Sequence, residues 1–222
     1  MFIAVTGRQV EASRAPVGGP PFGLGLFDAF LRGRNKVPPD VAGARKGRAA
    51  EEIVAGRNQY PPMMGVPELR KAVAEANKRF YDLDVDWQNE VLVTSGATEA
   101  LSDCINALVE PGDEVVLIEP LYDCYLPLVR RAGATPKLIR LAPPDWWLDG
   151  DALAAAFSPR TKAIILNNPM NPAAKVFDER ELRLIADQVI AHDAYAICDE
   201  VYEHIVFDGR RHHPLMTLPG MR

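Results

Sequence analysis

The chain contains 222 residues, of which 48% are hydrophobic and 25% are charged, and its formal net charge is −5. This composition is typical of a soluble globular protein, and the mild charge, without a Lys/Arg-rich run, gives no reason to expect a nucleic-acid partner. No apolar stretch approaches the roughly 20 residues that span a bilayer, and the N-terminus lacks the pattern of a secretion signal, so we expect no membrane partner and a cytoplasmic location.

The first 56 residues differ in composition from the rest of the chain. They are rich in Gly, Pro, Arg and Ala, and their hydrophobic periodicity is weak. We therefore expect a loop-rich N-terminal arm over residues 1–56, with at most short helices at 24–31 and 49–55.

Residues 57–222 show a regular alternation of helical and strand patterns. Leu69, Val73 and Ala76 recur at helical spacing and predict a helix over 65–80. Farther along, apolar β-rich runs predict strands at 91–94, 114–118, 137–141, 162–166 and 195–198. The stretches between them predict helices at 97–109, 122–131, 151–157 and 178–192. Strands that alternate with helices pair in parallel and carry helices on both faces, so an α/β fold is predicted.

Polar residues follow the predicted strands, at the carboxyl ends where open parallel sheets collect ligands. The small turn at 95–98 opens a helix whose free N–H groups suit a phosphate, although such turns more often only redirect the chain. Asp199 ends an apolar strand, where its carboxylate either caps a helix or faces a protonated ring nitrogen of a cofactor. Asn171 is either part of an Asx turn or a ligand contact, and Tyr122 is either a core aromatic or a ligand contact.

Five motifs, taken together and in order, resemble one family of enzymes. They are GRNQYPPMMGVPELR (56–70), VTSGATEAL (93–101), PGDEVVLIEPLYDCY (111–125), LNNPMNPAAKVF (166–177) and CDEVYEHIVFDG (198–209). The chain resembles a class I/II aminotransferase of fold type I, which depends on pyridoxal 5′-phosphate, and looks nearest to the kynurenine (glutamine) transaminase and cysteine-conjugate β-lyase branch. The resemblance implies a three-layer α/β large domain with a mainly parallel sheet over 57–222, incomplete at its C-terminus, with the C-terminal small domain absent.

The resemblance also implies how the cofactor is held. Ala97 and Thr98 resemble the residues whose backbone amides bind the cofactor phosphate. Tyr122 resembles the aromatic residue that stacks on the pyridine ring. Asp199 resembles the carboxylate that pairs with the ring nitrogen and keeps it protonated, so that the ring accepts electrons.

Four further positions complete the implied site. Asn171 and Tyr202 resemble the residues that contact the phenolic oxygen of the ring, and Asn171 also reaches toward the substrate carboxylate. Tyr60 resembles a residue that binds the phosphate of the neighbouring subunit, which implies a homodimer. Spacing alone places Gly33 at a substrate-contacting glycine, although its surroundings do not match the family.

Two departures from the family pattern carry expectations. The lysine that forms the Schiff base is expected about thirty residues after Asp199 and therefore beyond Arg222, so no catalytic residue is present and no meaningful turnover by the 222-residue chain is expected. Ala174 stands where the family has glycine, and if that position requires a positive φ it is strained by roughly 1 kcal/mol.

Three functions remain open at this level. The first is amino-group transfer between an α-amino acid and an α-keto acid. The second is β-elimination from cysteine-type substrates on the same fold, which the cofactor loops do not distinguish. The third is a non-catalytic fragment that binds pyridoxal phosphate weakly or dimerises.

His212 and His213 form a tempting metal-binding pair. Adjacent residues in an extended loop point apart, however, and the sequence offers no evident third ligand, so no metal site is predicted. The three cysteines (Cys104, Cys124 and Cys198) are also too scattered for a disulfide framework or a zinc site, and buried free thiols are expected.

Overall fold

The computed structural model describes residues 3–6, 39–56 and 59–222. These residues fall into two compact units: 3–6 and 64–222 belong to the larger unit, and 39–56 and 59–63 belong to the smaller one. Among the described residues, no helix is both long enough and apolar enough to cross a membrane.

The smaller unit contains one described helix, α1 (Pro39–Val54). It begins ten residues before the helix predicted at 49–55, because a proline at the first helical position is followed by a stretch rich in Ala, Arg, Lys and Glu, which favour helix. The helix predicted at 24–31 lies outside the described residues.

The described residues of the larger unit form five strands and five α-helices. The strands are β1 (Ile3–Thr6), β2 (Glu114–Glu119), β3 (Thr135–Arg140), β4 (Thr161–Asn167) and β5 (Tyr195–Asp199). The helices are α2 (Pro67–Tyr81), α3 (Ala97–Leu108), α4 (Tyr125–Arg131), α5 (Gly150–Ala156) and α6 (Glu179–Ala191), followed by a 3₁₀ turn at Leu215–Thr217.

The five strands form one sheet in the order β1-β5-β4-β2-β3. The four strands from β5 to β3 are parallel, and only β1 runs antiparallel, beside β5. The connections between the parallel strands contain α4, α5 and α6, which is the crossover geometry that parallel pairing requires.

Helices cover both faces of the sheet, and successive strand residues enter two separate cores. Val116, Ile164 and Ala196 belong to a cluster with residues of α5 and α6. Val115, Ile165 and Ile197 belong to a second cluster with residues of α3 and α4. The predicted three-layer α/β architecture is therefore confirmed, and the continuous apolar runs of β2, β4 and β5 follow from burial on both faces.

The prediction of a strand at 91–94 was wrong. Residues 91–94 are not part of the sheet, and their backbone groups have other partners. The carbonyl of Val91 accepts a hydrogen bond of 2.8 Å from Nε of Arg70, and the N–H of Val93 donates to the carbonyl of Met64 over 3.0 Å. β-Propensity alone does not reveal that the backbone hydrogen bonds of such a segment go to a side chain and a distant carbonyl instead of to a neighbouring strand.

The helix predicted at 122–131 begins three residues late, at Tyr125, so that Tyr122 lies in the preceding loop. The helix predicted at 178–192 is confirmed to within one residue at each end, with Asp178 and Glu181 forming a capping box at its start. The cysteines are all free, and Cys198 is buried while Cys104 and Cys124 are partly buried.

Candidate functional site

The carboxyl ends of three neighbouring strands bring the predicted site loops to one edge of the sheet. Asn167, the last residue of β4, lies directly opposite Asp199, the last residue of β5. β2 pairs with the other side of β4, so the loop that carries Tyr122 leaves the sheet at the same edge. This is the edge at which ligands bind in open parallel sheets.

Asp199 is a buried carboxylate with few partners. The side chain accepts a 2.7 Å hydrogen bond from the Tyr125 hydroxyl and a 3.3 Å hydrogen bond from the N–H of Val201. Among the residues that the structure describes, no Lys, Arg or His forms an ion pair with it. Burial raises the pKa of Asp199, and the Tyr125 hydroxyl offsets that shift only in part.

Helix capping does not account for Asp199. The four residues after Glu200 form turns and not a helix, so the carboxylate has no helix N-terminus to cap. The other explanation that the sequence left open, in which the carboxylate faces a protonated ring nitrogen of a cofactor, stays a prediction.

Tyr125 was missed by sequence reasoning. It is 3% exposed, it opens α4, and its hydroxyl fixes one oxygen of Asp199. The position lies inside a motif that carries the family resemblance, but only the packing of α4 against β5 shows that the two side chains meet. The same Asp199 contact and burial raise the pKa of Tyr125 far above its ordinary value, with burial the larger cause.

Tyr122 presents a half-exposed ring beside this carboxylate. Its ring is 41% exposed and meets Tyr125 edge-on at 5.9 Å between ring centroids. The pKa of Tyr122 is raised, first by the neighbouring Asp123 and then by burial, with smaller effects of Tyr202 and Asp199. Tyr122, Tyr202 and Asp199 are therefore near enough to interact electrostatically.

Two asparagines connect the β4 loop to Asp199. The side-chain amide of Asn167 donates to the backbone carbonyl of Asp199 over 2.9 Å. Its carbonyl oxygen accepts a 2.6 Å hydrogen bond from the backbone N–H of Asn171. Asn171 is thus held next to the end of β5, and it lines the same pocket as Tyr202. Asn167 was not among the predicted site residues.

The N-terminus of α3 lies near the same loops. Gly96 precedes the helix with φ 92°, a conformation that favours glycine, and no side chain caps the helix there. The first N–H groups of a helix, here including those of Ala97 and Thr98, have no partner within the helix. Interaction with the Thr98 side chain lowers the pKa of Cys124, although burial, the larger effect, raises it to about 11. Thr98 is therefore close to the Tyr122 loop.

For two predicted site residues, no position relative to this edge is assigned. Gly33 lies outside the described residues. Tyr60 belongs to the smaller unit, where its side chain is 97% exposed.

Ala174 adopts the left-handed conformation that the family's glycine led us to expect, with φ 54°. Its N–H donates to the carbonyl of Met170 over 2.8 Å, which closes the turn after Asn171. An alanine at such an angle is strained by about 1–2 kcal/mol.

Comparisons with known proteins agree with this geometry. The family model for aminotransferases of class I and II matches residues 29–219, a range that begins within the N-terminal arm. A Mycobacterium tuberculosis (strain H37Rv) protein named "Probable N-succinyldiaminopimelate aminotransferase DapC" is 48% identical over 187 residues, which cover 82% of this chain and 47% of that protein. Human kynurenine–oxoglutarate transaminase 3 is 45% identical over 174 residues, covering 74% of this chain and 38% of the relative.

The fold has the same relatives. The solved structure of N-succinyldiaminopimelate aminotransferase from Mycobacterium tuberculosis superposes with a TM-score of 0.76 at 48% identity, covering 78% of this chain and 46% of that one. The chain spans less than half the length of each of these proteins. Enzymes of this family depend on pyridoxal phosphate, as the resemblance implied. The chain belongs to the class I and II aminotransferase family.

Proposed function

We propose that this chain forms the part of a pyridoxal phosphate-dependent aminotransferase that holds the ring and phosphate of the cofactor. The proposed reaction is amino-group transfer between an α-amino acid and an α-keto acid. The observation that carries the proposal is the buried Asp199 carboxylate, which has two hydrogen-bond donors and, within the described part of the chain, no cationic partner. A buried carboxylate is unfavourable unless a cation or further donors face it.

The residues at this edge fit the cofactor. A protonated pyridine nitrogen is a cation with an N–H donor, so it supplies what Asp199 lacks. The half-exposed ring of Tyr122 offers an aromatic face of suitable size, and the uncapped start of α3 offers N–H groups for a phosphate. When bound, the cofactor would supply an electron-accepting ring that stabilises negative charge at the substrate α-carbon.

The protein's own contribution is orientation and charge. Tyr125 holds one Asp199 oxygen in place, so the carboxylate would be oriented to pair with a ring nitrogen and would keep it protonated. Asn167 ties the backbone of Asn171 to the end of β5, and the Asn171 amide would bind the phenolic oxygen of the ring. The Tyr202 hydroxyl would donate to the same oxygen.

The partners follow from the same proposal. The relatives named above are aminotransferases, and the substrates proposed here are accordingly an amino acid and a keto acid. Homodimer formation, with Tyr60 reaching the phosphate in the other subunit, stays a prediction, as does a cytoplasmic location. The same cofactor site would serve β-elimination, and no contact in the described residues favours that alternative.

Binding of pyridoxamine 5′-phosphate to the chain tests the proposal. This form has the same ring and phosphate but no aldehyde, so surface lysines do not trap it covalently. We expect Asp199→Asn to weaken binding about 10- to 100-fold in equilibrium dialysis, since a hydrogen bond to a charged group contributes about 1.5–3 kcal/mol. The matched control is Asp187→Asn, on the exposed surface of α6, which should bind like the unmodified chain.

Two outcomes would overturn the assignment. One is equal affinity of the Asp199→Asn chain and the unmodified chain. The other is equal affinity of the unmodified chain for pyridoxamine 5′-phosphate and for pyridoxamine, because the start of α3 is proposed to bind the phosphate.

A further inference from the structure

A second polar cluster lies in the larger unit, apart from the residues assigned to the cofactor. It consists of Glu200, Glu203 and His212, and one ligand atom from each lies within 4.8 Å of the other two. Glu200 follows Asp199 directly in the chain, but it contacts His212 while Asp199 contacts Tyr125. None of the proposed cofactor contacts uses this cluster.

His212 is the least satisfied polar side chain of the cluster. The side chain is 2% exposed, and neither ring nitrogen has a hydrogen-bond partner among the described residues. Nε2 lies 3.3 Å from Oε1 of Glu200, which is near enough for attraction, but the approach lacks hydrogen-bond geometry. Buried polar groups are normally paired, so two unpaired nitrogens on one buried ring call for a ligand.

The carboxylates of the cluster also lack a strong cationic partner. The side chains of Glu200 and Glu203 are 5% and 17% exposed. Within the described residues, neither forms an ion pair with Lys or Arg, and Glu203 has only the exposed His204 imidazole at 3.7 Å. Two carboxylates, one buried and one partly exposed, and one buried imidazole form a site that a divalent cation would neutralise.

One distance in the cluster suits a small transition metal. Ligands at about 2.0–2.1 Å from a tetrahedral Zn²⁺ stand about 3.3 Å from each other, which matches the separation of Nε2 and Oε1. Atoms that share a metal in this way need not point at each other, which explains a close contact without a hydrogen bond. An imidazole among carboxylates favours zinc over magnesium or calcium, which prefer oxygen ligands.

We propose that Glu200, Glu203 and His212 bind a divalent transition-metal ion of the Zn²⁺ type. Tyr81 supports the site from the outside, because its hydroxyl donates to Oε2 of Glu203 over 2.6 Å and its ring packs edge-on against His212. Hydrogen-bonded neighbours of this kind orient metal ligands. The ion would join the turn after β5, the segment before the 3₁₀ turn and the C-terminal end of α2.

The sequence did not reveal further ligands for His212, because the two carboxylates lie at a turn earlier in the chain. They meet His212 only in the folded structure. His213, its neighbour in sequence, is not part of the cluster. This makes His213→Gln the matched control for His212→Gln: each variant removes one imidazole, from adjacent positions.

The test measures Zn²⁺ binding by the metal-free 222-residue chain in competition with a chromogenic chelator, without any pyridoxal compound. We expect one equivalent of Zn²⁺ per chain and a rise in the thermal midpoint on binding. His212→Gln should lower the affinity at least tenfold and abolish the thermal shift, whereas His213→Gln should change neither. Because the cofactor is left out, failure of this test would not affect the proposed aminotransferase function.

Two further variants guard against a folding defect in His212→Gln. Glu203→Gln removes one charged ligand from a partly exposed position, and Tyr81→Phe removes only the supporting hydrogen bond. Both variants should weaken Zn²⁺ binding, and Tyr81→Phe should do so about tenfold. Co²⁺ bound at the site should show visible bands without the near-ultraviolet absorption of a cobalt–thiolate bond. No stoichiometric binding, equal binding by all variants, or a thiolate spectrum would each overturn the proposal.

Discussion

Two buried carboxylates in the larger unit, Glu181 and Asp199, differ in how completely they are paired. Glu181 receives Nζ of Lys175 on both oxygens, at 2.7 and 2.9 Å, and also the backbone N–H groups of Leu148 and Asp178 at 3.0 and 3.1 Å. Asp199 receives one hydroxyl and one long backbone contact. Lys175 and Glu181 balance each other's charge, and both Glu181 oxygens accept hydrogen bonds. The Asp199 carboxylate, in contrast, can still accept further hydrogen bonds.

We propose that this difference separates structural from functional charge in this fold. A carboxylate with four hydrogen bonds and a counter-charge gains nothing from a ligand. A similarly buried carboxylate whose oxygens can accept further hydrogen bonds does gain stability from a ligand. In this chain, that carboxylate lies at the edge of the sheet where the parallel strands end. Lys175 supplies the counter-charge of the first kind of carboxylate, and its ammonium group is engaged by both oxygens of Glu181.

Lys175→Met should produce the largest effect on stability. It leaves Glu181 buried without its counter-charge, and breaking a buried ion pair in this way costs about 3–5 kcal/mol. Urea unfolding should show this loss in the free energy of unfolding, while Lys46→Met, at an exposed position of α1, should change it by less than about 0.5 kcal/mol. A loss below about 1 kcal/mol for Lys175→Met would remove the contrast between the two carboxylates.

Asp199→Asn should stabilise the cofactor-free chain at neutral pH. Since burial raises the pKa of Asp199 in the folded state, ionisation costs stability as the pH rises through its ordinary pKa, and the cost is complete above the folded pKa. The free energy of unfolding at pH 7.5 should rise by about 0.5–2 kcal/mol, the usual range for a single stabilising substitution. The rise should be smaller at pH 4.5.

The same chemical change at the paired carboxylate gives the contrast. Glu181→Gln should lower the free energy of unfolding at pH 7.5, because the amide no longer neutralises Lys175 and receives its hydrogen bonds less well. If both variants shift stability in the same direction, completeness of pairing does not distinguish the two sites.

Ala174→Gly should give the smallest change, in the turn just before Lys175. Glycine adopts φ 54° without strain, so the free energy of unfolding should rise by about 1 kcal/mol. Ala173→Gly, one residue earlier and without a positive φ, should instead lower it by about 0.5–1 kcal/mol. Thermal unfolding of the two variants side by side measures both signs, and a lowered midpoint for Ala174→Gly would mean that the turn is not strained.

The parts of the fold that sequence predicted well are those specified by local pattern. The strands β2, β4 and β5 follow from continuous apolar runs, and the helix α6 follows from apolar residues at helical spacing, each contained within one segment. Asp199, Asn171 and Tyr122 lie at or after the ends of parallel strands, as predicted, and their roles as cofactor contacts stay predictions.

What sequence could not predict depends on contacts between distant segments. Residues 91–94 have strand propensity, but Arg70 and Met64 take their backbone hydrogen bonds. Tyr125 meets Asp199 across 74 positions of sequence, and His212 meets Glu200 only because the chain turns back after β5. The periodicity of hydrophobic residues carries no information about such long-range contacts.

The hydrogen bond from Asn167 to the Asp199 carbonyl also limits how this protein could change by insertion and deletion. A shift of one residue between β4 and β5 would break that bond and turn every β5 side chain to the opposite face, exchanging the residues of the two cores. Single-residue indels inside either strand should therefore abolish folding. Length variation among natural and engineered variants should accordingly be confined to the connecting loops, where new substrate preferences would arise without moving Asp199.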